Sequence, residues 1–423
     1  MRRIILMAAL MAWGLFAFSC GEAEPLTGGD KDYDALLSMI GDARIVMLGE
    51  STHGSREFYR ERARITRRLI EEAGFGAVIL EAPWESVRRL DAYIRGSSGD
   101  SDAASALGGF IRFPRWTWRN SEVRDFAESL RTINFTRAPG LAPVRLYGMD
   151  LYSVPESADA VVTHLARRSI EAATLARQRY ACFAGYLAEP MLYGRDVESG
   201  LAASCAEGAA VQLAEMPAEP REEDDFAAWQ SARVVSNGEA YYRAIYHEGE
   251  LSWNLREQHL ADTLIQVLKR MGETGKIVVW AHNSHQGDAR ESDQGAVGEL
   301  SLGQLMRERY SKDAVLVGFS TYRGRVRAAA KWGGKDRVWR LRPALRYSWH
   351  ERLHRLGQPR LMLIFRSNPA LAKKFAERRL ERVVGVNYLP KDELSSHYRY
   401  AHLSQQFDAI IHIDETSAVD SLP

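Results

Sequence analysis

Ile45-Val46-Met47-Leu48-Gly49-Glu50-Ser51-Thr52-His53-Gly54 is the stretch on which the reading of this chain turns. Four consecutive apolar residues without polar alternation describe a strand buried on both faces, as in a parallel sheet. Gly49 stops the run, and a carboxylate, two hydroxyls and an imidazole follow at once. Glu57 to Glu72 then carries helical spacing, with Phe58, Ile65, Leu69 and Ile70 on one side, arginines elsewhere and Gly74 as the stop. A buried strand, a polar turn and an amphipathic helix make up the first half of a βαβ unit.

The same grammar repeats along the chain. Ala77–Leu80, Val144–Tyr147, Lys276–Trp280, Val315–Phe319, Leu361–Phe365 and Ala409–Ile413 are short runs rich in Ile, Val and Leu, and Val87–Ile94 has helical spacing. Strands separated by helices predict an α/β fold with a largely parallel central sheet flanked by helices. Between about residues 155 and 275 the strand runs vanish and Ala/Glu/Arg-rich helical sequence takes over, with Arg221–Asp225 as charged punctuation. This stretch reads as a helical subdomain inserted between two strands of the sheet. The whole of 41–423 reads as one catalytic domain.

Composition agrees with a globular chain: 46% of the 423 residues are apolar and 26% charged. The net charge of +1 leaves no field of one sign that would make nucleic acid a partner. Cys20, Cys182 and Cys205 are too few for a disulfide scaffold or a Cys-based zinc module. Oxidising surroundings would permit a Cys182–Cys205 bond.

The first residues read as a targeting segment. Arg2 and Arg3 precede an uncharged apolar run, Ile4–Phe18, which is shorter than the roughly 18 residues of a membrane-spanning helix. Ala17-Phe18-Ser19-Cys20-Gly21 is similar to a bacterial lipobox. Residues 1–19 are thus expected to be a signal peptide. Residues 20–40 are expected to hold a lipidated Cys20 and a tether, anchoring the chain to a bacterial envelope membrane.

Four strand runs end in polar residues: Glu50 and His53 after the first, Glu81 after the second, Asp150 after the third, and His282 and His285 after a later one. Ligands of open parallel sheets bind outside the carboxyl ends of the strands, so these side chains are expected on one rim. The set suits water activation. A histidine can take a proton from water near neutral pH, and a buried carboxylate can hold its tautomer and stabilise the imidazolium. No G-x-S-x-G elbow, P-loop or G-x-G-x-x-G competes with this reading. One H-E-x-x-H occurs at His350–His354; framed by Pro343 and Gly357 and rich in arginine, it reads as a surface helix rather than a zinc site. Trp84, Phe113, Trp116 and Trp118 are candidates for an apolar substrate cleft, the last three alongside three arginines in Phe110–Arg119.

Together these segments resemble the erythromycin esterase family. Leu48–Gly54 with Glu57-Phe58 resembles its opening motif, Leu80–Trp84 its second, and Phe113–Val123 its Trp-rich segment. Gly148-Met149-Asp150, Val278–His285 and Phe407–Ile411 also match. The resemblance runs from about residue 33 to 420. It implies hydrolysis of a cyclic or linear carboxylic ester by activated water, with no covalent intermediate. Known members include enzymes that open macrolide lactones and so confer resistance. The family's essential glutamates and histidines fall on Glu50, His53, Glu81, His282 and His285, and its essential arginine on Arg62, with Arg60 and Arg64 close by in sequence. Asn254-Leu255-Arg256-Glu257 departs from the family's Asn-x-Arg-Asp, and His259 stands near a usual methionine.

The expected partner is therefore a small-molecule ester or lactone, with no cofactor. Two other readings stay open on the same residues. One is a hydrolase using Zn²⁺ or Mn²⁺ held by the Glu/His cluster. The other is an envelope lipoprotein that binds a ligand without turning it over.

Overall fold

The computed structural model describes residues 23–247 and 249–423. The expected signal peptide and Cys20 lie outside the described residues. Among the described residues no helix is long and apolar enough to cross a membrane.

The sheet is built from β1 (Glu24–Pro25), β2 (Ile45–Leu48), β3 (Ala77–Pro83), β4 (Arg145–Asp150), β5 (Ile277–Trp280), β6 (Ala314–Ala329), β7 (Asp336–Leu341), β8 (Arg360–Ile364) and β11 (Ala409–Thr416). Its order is β1-β8-β11-β6-β2-β5-β3-β4, with β7 paired to β6. From β11 through β4 all neighbours run parallel. The pairs β8–β11 and β1–β8 are antiparallel. A separate ribbon pairs β9 (Arg378–Arg382) with β10 (Tyr398–His402). The α/β fold with a largely parallel central sheet is thus the one the apolar runs predict.

Alternation along β2 shows why that strand had to be central. Ile45 and Met47 join one hydrophobic cluster, with helices of the 154–271 stretch. Val46 and Leu48 join the other, with the helix Arg56–Ala73. Both sets are fully buried, so neither face tolerates a polar residue until the strand ends.

Between β4 and β5 the chain is helical, from Val154–Ala166 to the long pair Glu223–Ala244 and Leu251–Met271. Cys182 and Cys205 form a disulfide within this stretch, their Cα atoms 5.8 Å apart.

Residues 24–40, expected to be part of a tether, are instead docked on the domain. β1 extends the sheet edge, Leu26 and Leu36 are buried, and the buried Tyr33 hydroxyl donates to Glu61 at 2.6 Å. Composition suggested a linker because Gly28, Gly29 and the acids dominate it; the few apolar residues decide its fate.

β7, β9 and β10 had no apolar run to betray them. Each carries charged residues along an exposed or half-exposed edge and is held by backbone pairing to a neighbour.

The disulfide closes a loop 23 residues apart in sequence. Such a closure is worth about 3 kcal/mol against the unfolded chain. The paired variant Cys182→Ser/Cys205→Ser should lose about that much stability in urea unfolding. An unchanged midpoint would show that the bond contributes nothing.

Candidate active site

The helix Arg56–Ala73 carries the first functional group by its periodicity. Phe58, Arg62, Ile65 and Leu69 fall on one stripe, so Arg62 is driven into the core with its apolar neighbours and is fully buried. Its Nη2 donates to Glu50 Oε2 at 2.7 Å, and its guanidinium packs over the rings of Tyr59 (4.6 Å) and Trp280 (4.7 Å). Arg60 and Arg64 lie off that stripe and pair with Glu122 and with Glu61.

The other oxygen of Glu50 lies 2.8 Å from His53 Nδ1. A carboxylate only accepts, so Nδ1 carries the proton and Nε2 is left as the basic atom. The turn that presents this pair needs its glycines. A Cβ at Gly49 would stand 2.2 Å from Asn283 Oδ1, and one at Gly54 would stand 2.0 Å from the Arg327 carbonyl oxygen. Asn283 itself ties the β2 and β5 termini together, its N–H donating to the Glu50 carbonyl at 2.8 Å.

Glu81, at the end of β3, is the hub of the second half. Its Oε2 accepts the His282 backbone N–H at 2.8 Å, and its Oε1 accepts from Arg256 Nη2 at 2.9 Å. Arg256 also grips Asp150 with two donors, at 3.1 and 2.7 Å. Burial pushes the Glu81 carboxyl up, but His285, His53 and Arg256 outweigh it and hold it well below the usual carboxylate range.

His285 is enclosed by charge. Its Nδ1 is 2.5 Å from Glu257, and its ring stacks on Trp253 at 4.8 Å. Its Nε2 stands 3.1 Å from Glu81 and 3.0 Å from Arg256 Nη1. A neutral ring would accept from the guanidinium; two facing carboxylates favour the cation, which directs Nε2–H to Glu81. Burial lowers the His285 pKa, but Glu257 and Glu81 override it and raise it to about 9.

His282 has the opposite fate. Burial and the neighbouring His53 push it well below the ordinary histidine value, so its ring is neutral. Its Nδ1 accepts from the Ser284 N–H at 3.3 Å and lies 2.8 Å from Ser284 Oγ. The proton is therefore on Nε2, a buried atom without a protein hydrogen-bond partner. The His53 and His282 rings are 4.8 Å apart, and both line a cavity of 440 Å³ together with Glu81, Asp150, Arg256 and His285.

The structure thus brings Glu50, His53, Arg62, Glu81, His282 and His285 together. Of the aromatic candidates, Phe113 and Trp118 line the cavity, and Trp118 Nε1 donates to the Glu81 carbonyl at 3.0 Å. Trp84 and Trp116 do not reach it. Both are core residues, Trp84 stacked on Tyr147, because each falls on the inward face of its segment.

The His350–His354 helix is not a free surface helix. Trp349, His350 and Leu353 are buried. His350 bonds Ser320 and the Arg382 N–H, while His354 bonds Asp414 and stacks on Tyr322. The two rings thus serve separate partners. Among the described residues no group of three His, Cys, Asp or Glu is placed to hold a metal ion.

Arg256 and Glu257 were the residues that sequence reading did not assign. Their signal was the Asn254–Glu257 segment inside the helix Leu251–Met271, far in sequence from the strand ends it serves.

The α/β scaffold thus gathers a Glu/His/Arg cluster at the strand ends of its parallel sheet, and comparison with known proteins gives its family. A family model described as erythromycin esterase matches residues 70–416. The chain belongs to the erythromycin esterase family. It is 22% identical over 407 residues to an erythromycin esterase type II of Escherichia coli, covering 91% of this chain and 93% of that one. It is also 22% identical to a putative hydrolase of Bacillus subtilis, over 71% of each chain. Among solved structures, a mutant of an erythromycin esterase in its open conformation superposes with a TM-score of 0.69 at 16% identity, covering 92% of this chain and 94% of that one.

The charge pattern fixes a pH response. His285 is raised from 6.5 to about 9, so its ion pairs stabilise the fold fully below pH 6.5 and are lost as pH rises through about 9. Glu81 is depressed, so its contribution is present above pH 4.5 and is lost as pH falls further. The melting temperature should decline between pH 6.5 and 9, and Glu257→Gln should flatten that alkaline limb. A wild-type melting temperature that stays level over this interval would sink the assignment of His285 as a cation.

Proposed function

We propose that the protein hydrolyses carboxylic esters or lactones by direct attack of a water molecule activated at His53, without a metal and without an acyl-enzyme. The observation that carries this is the Glu50–His53 pair at 2.8 Å, with His53 and His282 both lining one cavity.

In this reading His53 Nε2 takes a proton from water as the water oxygen bonds to the carbonyl carbon. Glu50, itself neutralised by Arg62, holds the imidazole and stabilises the imidazolium. His282 Nε2–H donates to the carbonyl oxygen as it gains charge. Collapse of the tetrahedral intermediate breaks the carbon–oxygen bond, and His53 returns its proton to the leaving alkoxide. Glu81 keeps a negative charge close to His53 while its Oε2 anchors the His282 N–H. His285 and Arg256 hold Glu81 in that ionised state, and Asp150 positions Arg256.

The donor set does not suit a resident Zn²⁺ or Mn²⁺. Glu50 and Glu81 are each bonded to a guanidinium, and both nitrogens of His285 face carboxylates. His53→Ala should lower turnover by about 10²–10⁴ in a variant whose circular dichroism is unchanged. Metal analysis after prolonged chelation supplies the control: activity lost with the metal and restored by Zn²⁺ or Mn²⁺ would replace this mechanism with a metal-assisted one. A macrolide lactone is one substrate of the proposed class, tested by mass change of the ring-opened product.

We also propose export and lipidation at Cys20, on the strength of the basic start, the short apolar run and the lipobox-like Ala17–Gly21. The Cys182–Cys205 disulfide supports the same compartment, since such bonds persist in oxidising surroundings. Mass spectrometry of the mature N-terminus is expected to find an acylated Cys20. An unmodified terminus downstream of it overturns the anchor and leaves the hydrolase reading intact.

A further inference from the structure

The cavity at His53 is not closed on its far side. It shares Phe113, Tyr152, Tyr241 and Trp332 with a second cavity of 860 Å³, about twice its volume. None of the histidines or carboxylates of the cluster lines this outer chamber. Leu187, Pro190, Met191, Tyr242 and Ile245 of the inserted helical stretch make much of its wall. Its one arginine, Arg112, is bonded to Glu156 at 2.9 Å and to the Leu187 carbonyl at 2.9 Å. A larger chamber walled mostly by apolar side chains, with Glu189 and Arg112 among its polar groups, therefore opens directly into the one that holds the histidines and carboxylates.

Trp332 stands at the threshold. It sits at the tip of the β6–β7 hairpin, where Gly333 supplies a positive φ of 70°. Its ring meets Phe113 edge-on at 5.0 Å and Tyr152 at 6.1 Å. The Arg256 guanidinium lies over the Tyr152 ring at 5.2 Å. Three large apolar side chains here remain in solvent: Ile111 at 62%, Leu187 at 50% and Trp332 at 46% exposure. Such a cluster is costly to hydrate and gains by being covered. The wall is also fixed in place. Residues 187–191 lie inside the loop closed by Cys182–Cys205, and the Tyr246 hydroxyl donates to the Met191 carbonyl at 2.9 Å.

We propose that the outer cavity is a binding subsite for a long or bulky apolar group of the ester, and that Trp332 determines specificity for it. The proposal rests on the hydrolase reading above, because the occupant is the non-reacting part of a substrate whose carbonyl lies at His53. Small esters leave the chamber empty. Esters with an extended apolar half bury that half against Leu187, Met191 and Trp332. Each added methylene that enters is expected to raise kcat/KM about fourfold, from the transfer free energy of one buried methylene group.

The test uses p-nitrophenyl esters from acetate to dodecanoate, varied on the acyl side, and alkyl acetates, varied on the alcohol side. Wild type is compared with Trp332→Ala and Leu187→Glu, both exposed positions that the fold tolerates. The expected result is a rise of log kcat/KM with chain length in one of the two series, flattened in both variants chiefly through KM. Ester turnover with no chain-length dependence in either series, or a dependence that both variants leave intact, overturns the subsite. Calorimetric titration with methyl ketones of rising length separates this from failure of the chemistry. Length-dependent ketone binding that both variants weaken, with no ester turned over, supports the subsite and rejects the hydrolase reading. Neither turnover nor length-dependent binding rejects both.

Discussion

The site depends on one buried cation, the guanidinium of Arg256. It reaches from the helix Leu251–Met271 to the ends of β3 and β4, bonding Glu81 and both oxygens of Asp150. Without it two carboxylates would lie close together in a low-dielectric setting, and the two could not both stay ionised. With it, Glu81 is a fixed anion that orients the His282 turn and balances the charge of His285. The inserted helical stretch is therefore part of the site's electrostatics as well as a cover for one face of the sheet.

Arg62 plays the equivalent role beneath β2. A helix that buries a guanidinium in an otherwise apolar stripe accepts a desolvation cost, offset here by Glu50 and by the faces of Tyr59 and Trp280. The histidines nevertheless sit in distinct electrical environments. His285 lies between carboxylates and is cationic, whereas His282 is buried beside other histidines and is neutral. Identical side chains thus acquire different chemistry from their surroundings alone.

The cavities follow from the same architecture. The parallel strands deliver polar ends to one rim, and the helical stretch between β4 and β5 supplies apolar walls beyond it. The β6–β7 hairpin closes over the junction with Trp332. The chamber that holds the histidines and carboxylates thus opens into a larger one walled mostly by apolar side chains.

By itself the sequence determined the sheet and most of the rim. Ile45–Leu48, Ala77–Leu80 and Ile277–Trp280 admit no environment but a doubly covered strand, so the residues after them had to lie at strand ends. Glu50, His53, Glu81, His282 and His285 were legible for that reason, whereas Arg62 rested on the family resemblance and its burial separated it from Arg60 and Arg64. Tertiary structure decided what local pattern leaves open. Trp84 and Trp116 became core while Phe113 and Trp118 became lining, because an aromatic residue packs equally well on either side of a cavity wall. Arg256 and Glu257 joined the site across more than a hundred residues from Asp150, which no local periodicity encodes. Residues 24–40 docked because Leu26, Tyr33 and Leu36 found a sheet edge and a helix to cover. The protonation of each histidine was likewise a tertiary outcome, since it is set by which charges surround the ring and not by the ring's place in the chain.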